Sequence, residues 1–148
     1  MTAPRILVVP GGTAISAVAL ANASIHKLVE LYEERQADPN HPAPHTVVFL
    51  RDPALVPPAT LRGSAATPEQ AFPEEDYPGL ANQIKNDPHF FDGVDLVIST
   101  SGSSAGKPRL VGLSMDALMA SLKATELALD GPGRWILALP THHIAGAM

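Results

Sequence analysis

An α/β fold, with a mixed sheet and helices packed against it, is what the 148-residue chain predicts. Three observations carry that expectation. Short apolar runs rich in Val, Ile and Leu recur at Arg5 to Val9, Thr46 to Leu50, Asp95 to Thr100 and Arg134 to Leu139, as buried strands do. Two longer stretches, one from Thr13 to Arg35 and one following Ser114, repeat their apolar residues at helical spacing. Glycine and proline fall between these segments rather than within them, as expected where turns join regular elements.

Taken in order, Arg5 to Val9 is a first strand and Pro10 to Gly12 a turn. Thr13 to Arg35 is a helix with Ile15, Val18, Ile25, Leu28, Val29 and Tyr32 on one stripe. Its early part is rich in Ala and Ser, whose small side chains permit close packing on a sheet, while Glu30, Glu33 and Glu34 face water. Thr46 to Leu50 completes a strand-helix-strand unit. Ten of the fifteen prolines lie from Pro39 to Pro88, so Asp52 to Pro78 is expected to be a covering loop, with a short helix from Pro78 to Asn86. Asp95 to Thr100 is the next strand, and Leu110 to Leu113 returns as its antiparallel partner. Ser114 is a good N-cap, Asp116 suits the first turn, and Met115, Leu118, Met119, Leu122 and Leu129 keep helical spacing up to Gly131-Pro132. Arg134 to Leu139 is a last strand pointing its end at His142 and His143.

Composition removes several classes of function. A net charge of −5, with scattered cations and few aromatics, argues against a nucleic-acid surface. The absence of cysteine excludes disulfides, thiolate nucleophiles and thiolate metal sites, and fits a cytoplasmic protein. No segment has the roughly 20 uninterrupted apolar residues of a membrane span. The Pro10-Gly11-Gly12 break also interrupts what could otherwise be taken for a secretory signal.

The richest chemistry lies in the run Thr100 to Arg109, where hydroxyls, two glycines and two cations follow an apolar strand. Glycines let the backbone approach an anion, successive amides converge on phosphate oxygens, and Lys or Arg supplies charge. A nucleotide-hydrolase P-loop needs four residues between its glycines and Ser or Thr after its Lys. Here three residues separate Gly102 from Gly106, and Pro108 follows Lys107, so that reading fails twice.

The run resembles instead the signature loop of the AMP-forming acyl-CoA synthetases, the adenylate-forming enzymes, which reads roughly T-S-G-[ST]-T-G-x-P-K. Thr100, Ser101, Gly102 and Ser103 match its start, Gly106, Lys107 and Pro108 its later part, and Arg109 stands at the family's lysine. One residue is extra: either Ser104 or Ala105 bulges. Pro140 to Gly146 resembles the family's P-x-x-H-x-x-G, with His143 at the histidine. The start from Val8 to Val18, the strand Asp95 to Thr100 and the stretch Leu137 to Gly146 look most like the o-succinylbenzoate-CoA ligases of menaquinone biosynthesis.

The resemblance implies that residues 1–148 are the N-terminal part of the large domain of such an enzyme. It implies that the amides of Ser101 to Gly106 and the hydroxyls of Thr100, Ser103 and Ser104, with Lys107 and Arg109, hold the phosphates of ATP. It places His143 and Gly146 near the acyl and adenylate pocket. ATP and CoA are then co-substrates with a small carboxylate, and Mg2+ accompanies ATP. The family's ribose-holding aspartate, magnesium-binding glutamate and adenylating lysine have no counterpart here, so residues 1–148 alone are expected to be inactive.

Other candidates carry less. His142 and His143 are sequence neighbours whose side chains diverge, so they do not chelate one ion, and no metal site is expected. Gly11-Gly12 lacks dinucleotide-binding spacing and reads as a tight turn, while Glu74, Glu75 and Asp76 read as a solvated cluster. Two alternatives remain open: a noncatalytic nucleotide- or anion-binding module, and a structural fragment whose exposed apolar face drives it to a homodimer.

Overall fold

The computed structural model describes residues 4–40, 45–55, 65–100, 109–133 and 139–143. The elements follow as β1 (Arg5–Pro10), α1 (Ile15–Ala37), β2 (Thr46–Arg51), β3 (Ala65–Ala66), α2 (Pro68–Ala71), α3 (Leu80–Asn86), β4 (Leu96–Thr100), β5 (Arg109–Leu113) and α4 (Met115–Ala128). The strands form one mixed sheet in the order β3-β1-β2-β4-β5. β1, β2 and β4 are parallel, and β3 and β5 run antiparallel on either side. The expected α/β class and the antiparallel return after Thr100 are therefore both present.

Both sheet faces are covered, which is why the central strands read as nearly continuous apolar runs. Alternate residues divide between the faces. Ile6, Val8, Val47, Phe49 and Val97 meet Ala71, Phe72, Tyr77, Ile84 and Phe91 on one side. Phe49 stacks on Phe72 with ring centroids 4.9 Å apart, and Tyr77 meets both rings edge-on. On the other side Val9, Val48, Leu50, Leu96 and Ile98 meet Ala21, Leu28 and Met115 from α1 and α4.

Several boundaries differ from expectation for identifiable reasons. α1 begins at Ile15, because Ala14 is still extended (φ −65°, ψ 139°). Ile15, expected on the buried stripe, is 89% exposed, since the helix reaches the sheet only from Leu20 and Ala21 onward. The expected loop from Asp52 to Pro78 contains β3 and α2. The short α2 is held by a capping box: the Gln70 amide donates to Thr67 Oγ1 (3.3 Å), the Thr67 amide donates to Gln70 Oε1 (2.9 Å), and Pro68 opens the helix. α3 starts at Leu80 rather than Pro78, after Gly79 at φ +74°. In α4, Ser114 caps as expected, its hydroxyl accepting from the Ala117 amide (3.1 Å). Met115 is buried, but Leu122 and Leu129 face water. Of the last expected strand, residues 134–138 lie outside the described residues and Leu139 is half exposed in a bend.

One polar network ties the far edge of the sheet together. The Asp95 carboxylate accepts from Arg35 Nη2 and from the Met115 amide, each at 2.8 Å, and Tyr32 donates to Asp116 at 2.8 Å. The end of α1, the start of β4 and the start of α4 are thereby locked to one another. Among the described residues no helix is long and apolar enough to cross a membrane.

Candidate functional site at the carboxyl ends of the parallel strands

In sheets of this kind ligands gather beyond the carboxyl ends of the parallel strands. Here three chain segments leave that edge: Gly11-Gly12 after β1, Asp52-Pro53 after β2, and the connection from Thr100 to Arg109 between β4 and β5. Thr100 and Arg109 are directly paired across the ladder, and the Thr100 hydroxyl donates to the Arg109 carbonyl at 3.3 Å. The expected phosphate loop thus connects two paired antiparallel strands, as the sequence suggested, and not a strand to a helix. Ser101, Gly102, Ser103, Ser104, Gly106 and Lys107 lie outside the described residues, as does Gly146.

Residues 139–143 dock on the turn after β1. The Gly12 amide donates to Thr141 Oγ1 at 3.2 Å, and the Thr141 amide and hydroxyl both approach the Gly12 carbonyl at 3.4 Å. The Gly11 amide donates to the Arg51 carbonyl at 2.8 Å, which fixes the turn to β2. Gly11 is required by close approach rather than by φ: a Cβ there would lie 2.4 Å from His142 Cβ and 2.7 Å from the His142 amide nitrogen. The expected tight turn is therefore also a docking seat for the histidine pair.

The two histidines differ sharply. His143 is exposed and its amide donates to the Pro140 carbonyl at 3.1 Å. His142 is only 8% exposed, and its Nδ1 is buried with no hydrogen-bond partner among the described residues. Burial pushes its pKa below the ordinary imidazole value; Asp52 opposes the shift and His143 adds to it. His142 lines a cleft of about 510 Å³ with Pro10, Gly12, Ala17, Leu20 and Pro53.

A buried cation that sequence reasoning missed sits at the end of β2. Arg51 is 1% exposed and pairs with Asp76 at 2.5 Å, with its guanidinium carbon 5.8 Å from the Tyr77 ring centroid. Arg51 Nε, Arg51 Nη1 and the Tyr77 hydroxyl are buried without partners among the described residues. The signal available was an arginine closing an otherwise apolar strand. The acidic cluster expected in solvent is divided accordingly: Asp76 holds Arg51, and Glu74 accepts from the Gly79 amide at 3.0 Å. Among the described residues no three His, Asp or Glu converge on a cation site.

No family model and no solved structure matches the chain. Two curated relatives do. Over 105 residues, 71% of its length, the chain is 37% identical to the probable 2-succinylbenzoate–CoA ligase of Mycobacterium tuberculosis strain CDC 1551 / Oshkosh, and equally to that of strain ATCC 25618 / H37Rv. The match covers 23% of each relative's length. The chain is thus similar to the 2-succinylbenzoate–CoA ligases, the resemblance that its own two motifs carry.

Proposed function

We propose that the chain carries the ATP phosphate-binding end of an AMP-forming acid–CoA ligase, acting on o-succinylbenzoate in cytoplasmic menaquinone biosynthesis, within the fold of the adenylate-forming enzymes. The single observation that best supports this is the β4–β5 hairpin, whose paired ends Thr100 and Arg109 frame the signature-like segment at the carboxyl edge of the sheet. Similarity to the mycobacterial ligases supports the choice of acid.

In this reading a substrate carboxylate oxygen attacks the α-phosphorus of ATP, the bond to the β-phosphate breaks, and pyrophosphate leaves. The CoA thiol then attacks the acyl carbon, loses its proton, and displaces AMP. Carboxylate oxygen is a poor leaving group, and adenylation replaces it with a good one. Amides of Ser101 to Gly106, hydroxyls of Thr100, Ser103 and Ser104, and the cations Lys107 and Arg109 hold the departing pyrophosphate, where charge grows in the transition state. His143 and Gly146 border the acyl and adenylate pocket. Mg2+ would accompany ATP, as the resemblance to the family implies. Residues 1–148 alone do not turn over.

The test is a chimera in which this chain replaces the matching stretch of a mycobacterial relative. ATP–pyrophosphate exchange should depend on o-succinylbenzoate and should be absent from residues 1–148 alone. A chimera that folds and binds MgATP without any exchange would support the noncatalytic module instead.

A further inference from the structure

We propose that His142 is a pH-sensitive latch: as a neutral imidazole it seats residues 139–143 on the β1 turn, and its protonation releases them while the sheet stays folded. The seat is shaped to the ring. A Cβ on Gly11 would lie 2.4 Å from His142 Cβ and 2.8 Å from its Nδ1, so the side chain packs directly on the backbone of the turn. Nδ1 is buried there with no hydrogen-bond partner among the described residues. An imidazolium carries N–H on both ring nitrogens, so charging the ring in place puts a donor at Nδ1 with nothing to receive it.

The surroundings decide the sign. Burial leads, since an enclosed ring loses the water that would stabilise its charge. The N-terminus of α1 lines the same cleft through Thr13, Ala14, Ser16 and Ala17, with no side-chain cap and no acid in its first turn, so the positive end of the helix dipole opposes a cation there. His143, with its ring centroid 4.4 Å from that of His142, adds repulsion when charged. Gly11 and Gly12 of the β1 turn, and Pro10, Pro53 and Pro140, bring no charge to the cleft. Asp52 favours the charged ring, but its carboxylate already accepts from the Ala54 amide at 2.8 Å.

Release leaves the core intact. The Gly12–Thr141 pair supplies the hydrogen bonds that join residues 139–143 to the turn, at 3.2–3.4 Å, whereas neither apolar cluster of the sheet includes a residue from 139–143. A released ring titrates near the ordinary 6.5 and the seated ring below it, so docking is complete above pH 6.5. Below that it weakens about tenfold per pH unit until the seated ring itself takes up a proton. Release uncovers the Gly11-Gly12 turn and carries His143 away from the carboxyl edge of the sheet.

The experiment measures amide hydrogen exchange in residues 1–148 at several values from pH 7.5 to pH 5.5, expressed as protection relative to the unstructured chain. Gly12 and Thr141, whose amides face each other across the seat, should lose about tenfold of their protection per unit below pH 6.5. Val48, whose amide donates to the Asp95 carbonyl inside the sheet, should stay the better protected at every pH. His142→Phe keeps a ring in the seat and removes the proton, and its Gly12 protection should be independent of pH. His143→Gln should retain the response. Protection at Gly12 that ignores pH in the parent chain overturns the proposal, as does one protection factor shared by Gly12, Thr141 and Val48, which would mean that residues 139–143 leave only by global unfolding. A response that survives His142→Phe or vanishes in His143→Gln would assign the titration to another group and overturn it equally. Each of these failures leaves the phosphate-loop reading standing, because residues 100–109 take no part in the latch.

Discussion

Replacing Gly11 with alanine tests the contact on which the candidate site is built. The new Cβ would lie 2.4 Å from His142 Cβ and 2.7 Å from its amide nitrogen, against an ordinary contact of 3.4–4 Å, so backbone and not merely a side chain must move by about 1 Å. Overpacking of this kind costs about 1–3 kcal/mol. The upper limit is set by release of residues 139–143, which forfeits the Thr141–Gly12 hydrogen bonds, each worth about 0.5–1.5 kcal/mol net. A loss of about 2 kcal/mol in urea denaturation is expected. It should come with an upward return of the His142 pKa toward the ordinary 6.5, because the burial that lowers it is relieved. Gly79→Ala is the control: its Cβ meets nothing within 4 Å, and at φ +74° it costs only the left-handed strain of about 1–2 kcal/mol, leaving His142 unchanged. If Gly11→Ala changes stability by less than about 0.5 kcal/mol, as an ordinary surface substitution does, and leaves His142 unmoved, the docking of residues 139–143 on the β1 turn is refuted.

Further expectations follow from other contacts. His142 titrates below its ordinary value when folded, so its neutral form is favoured by folding; stability should be full above pH 6.5 and fall as pH drops toward the lower folded pKa. Urea melts at pH 7.5 and 5.5 should show a decline that shrinks in His142→Gln, with Asp52 and His143 the neighbouring titratable groups in both. Asp76→Ala strands the buried Arg51 cation and should cost about 3–5 kcal/mol, whereas Arg51→Met with Asp76→Asn should recover most of it; equal losses from both would contradict the ion-pair account. Phe72→Ala removes a ring that is 1% exposed and stacked on Phe49, at a cost of about 3–5 kcal/mol by thermal or urea unfolding. A cost below about 1 kcal/mol would show that this face of the sheet is not packed as described.

The sheet was legible because its central strands are buried on both faces, which leaves an apolar run such as Val47 to Leu50 with few other readings. The hairpin at Thr100 and Arg109 was legible because two apolar strands flank a polar, glycine-rich segment. α2 was missed although Thr67, Pro68 and Gln70 spelled a capping box, because the surrounding prolines suggested a loop. What no local pattern could disclose is pairing between distant positions. Gly12 and Thr141 are 129 residues apart, and nothing in either neighbourhood announces the other. Arg51 with Asp76 is the same case: a charge at the end of a strand is ordinarily solvated, and only the fold shows it enclosed beside Tyr77. The two motifs named a chemistry, but the seat that brings His142 to the β1 turn had to be seen in three dimensions.

The central claim is that the segment joining Thr100 to Arg109 grips the phosphates of ATP while an acid is activated. Its most direct measurement is o-succinylbenzoate-dependent ATP–pyrophosphate exchange in the chimera, compared with the same chimera in which residues 101–106 are shortened to a two-residue turn and with Arg109→Ala. A raised apparent ATP constant and slowed exchange are predicted in both, about a hundredfold slower for the shortened loop, the scale on which removing one transition-state donor acts. Exchange at the parent rate with the loop shortened would contradict the account.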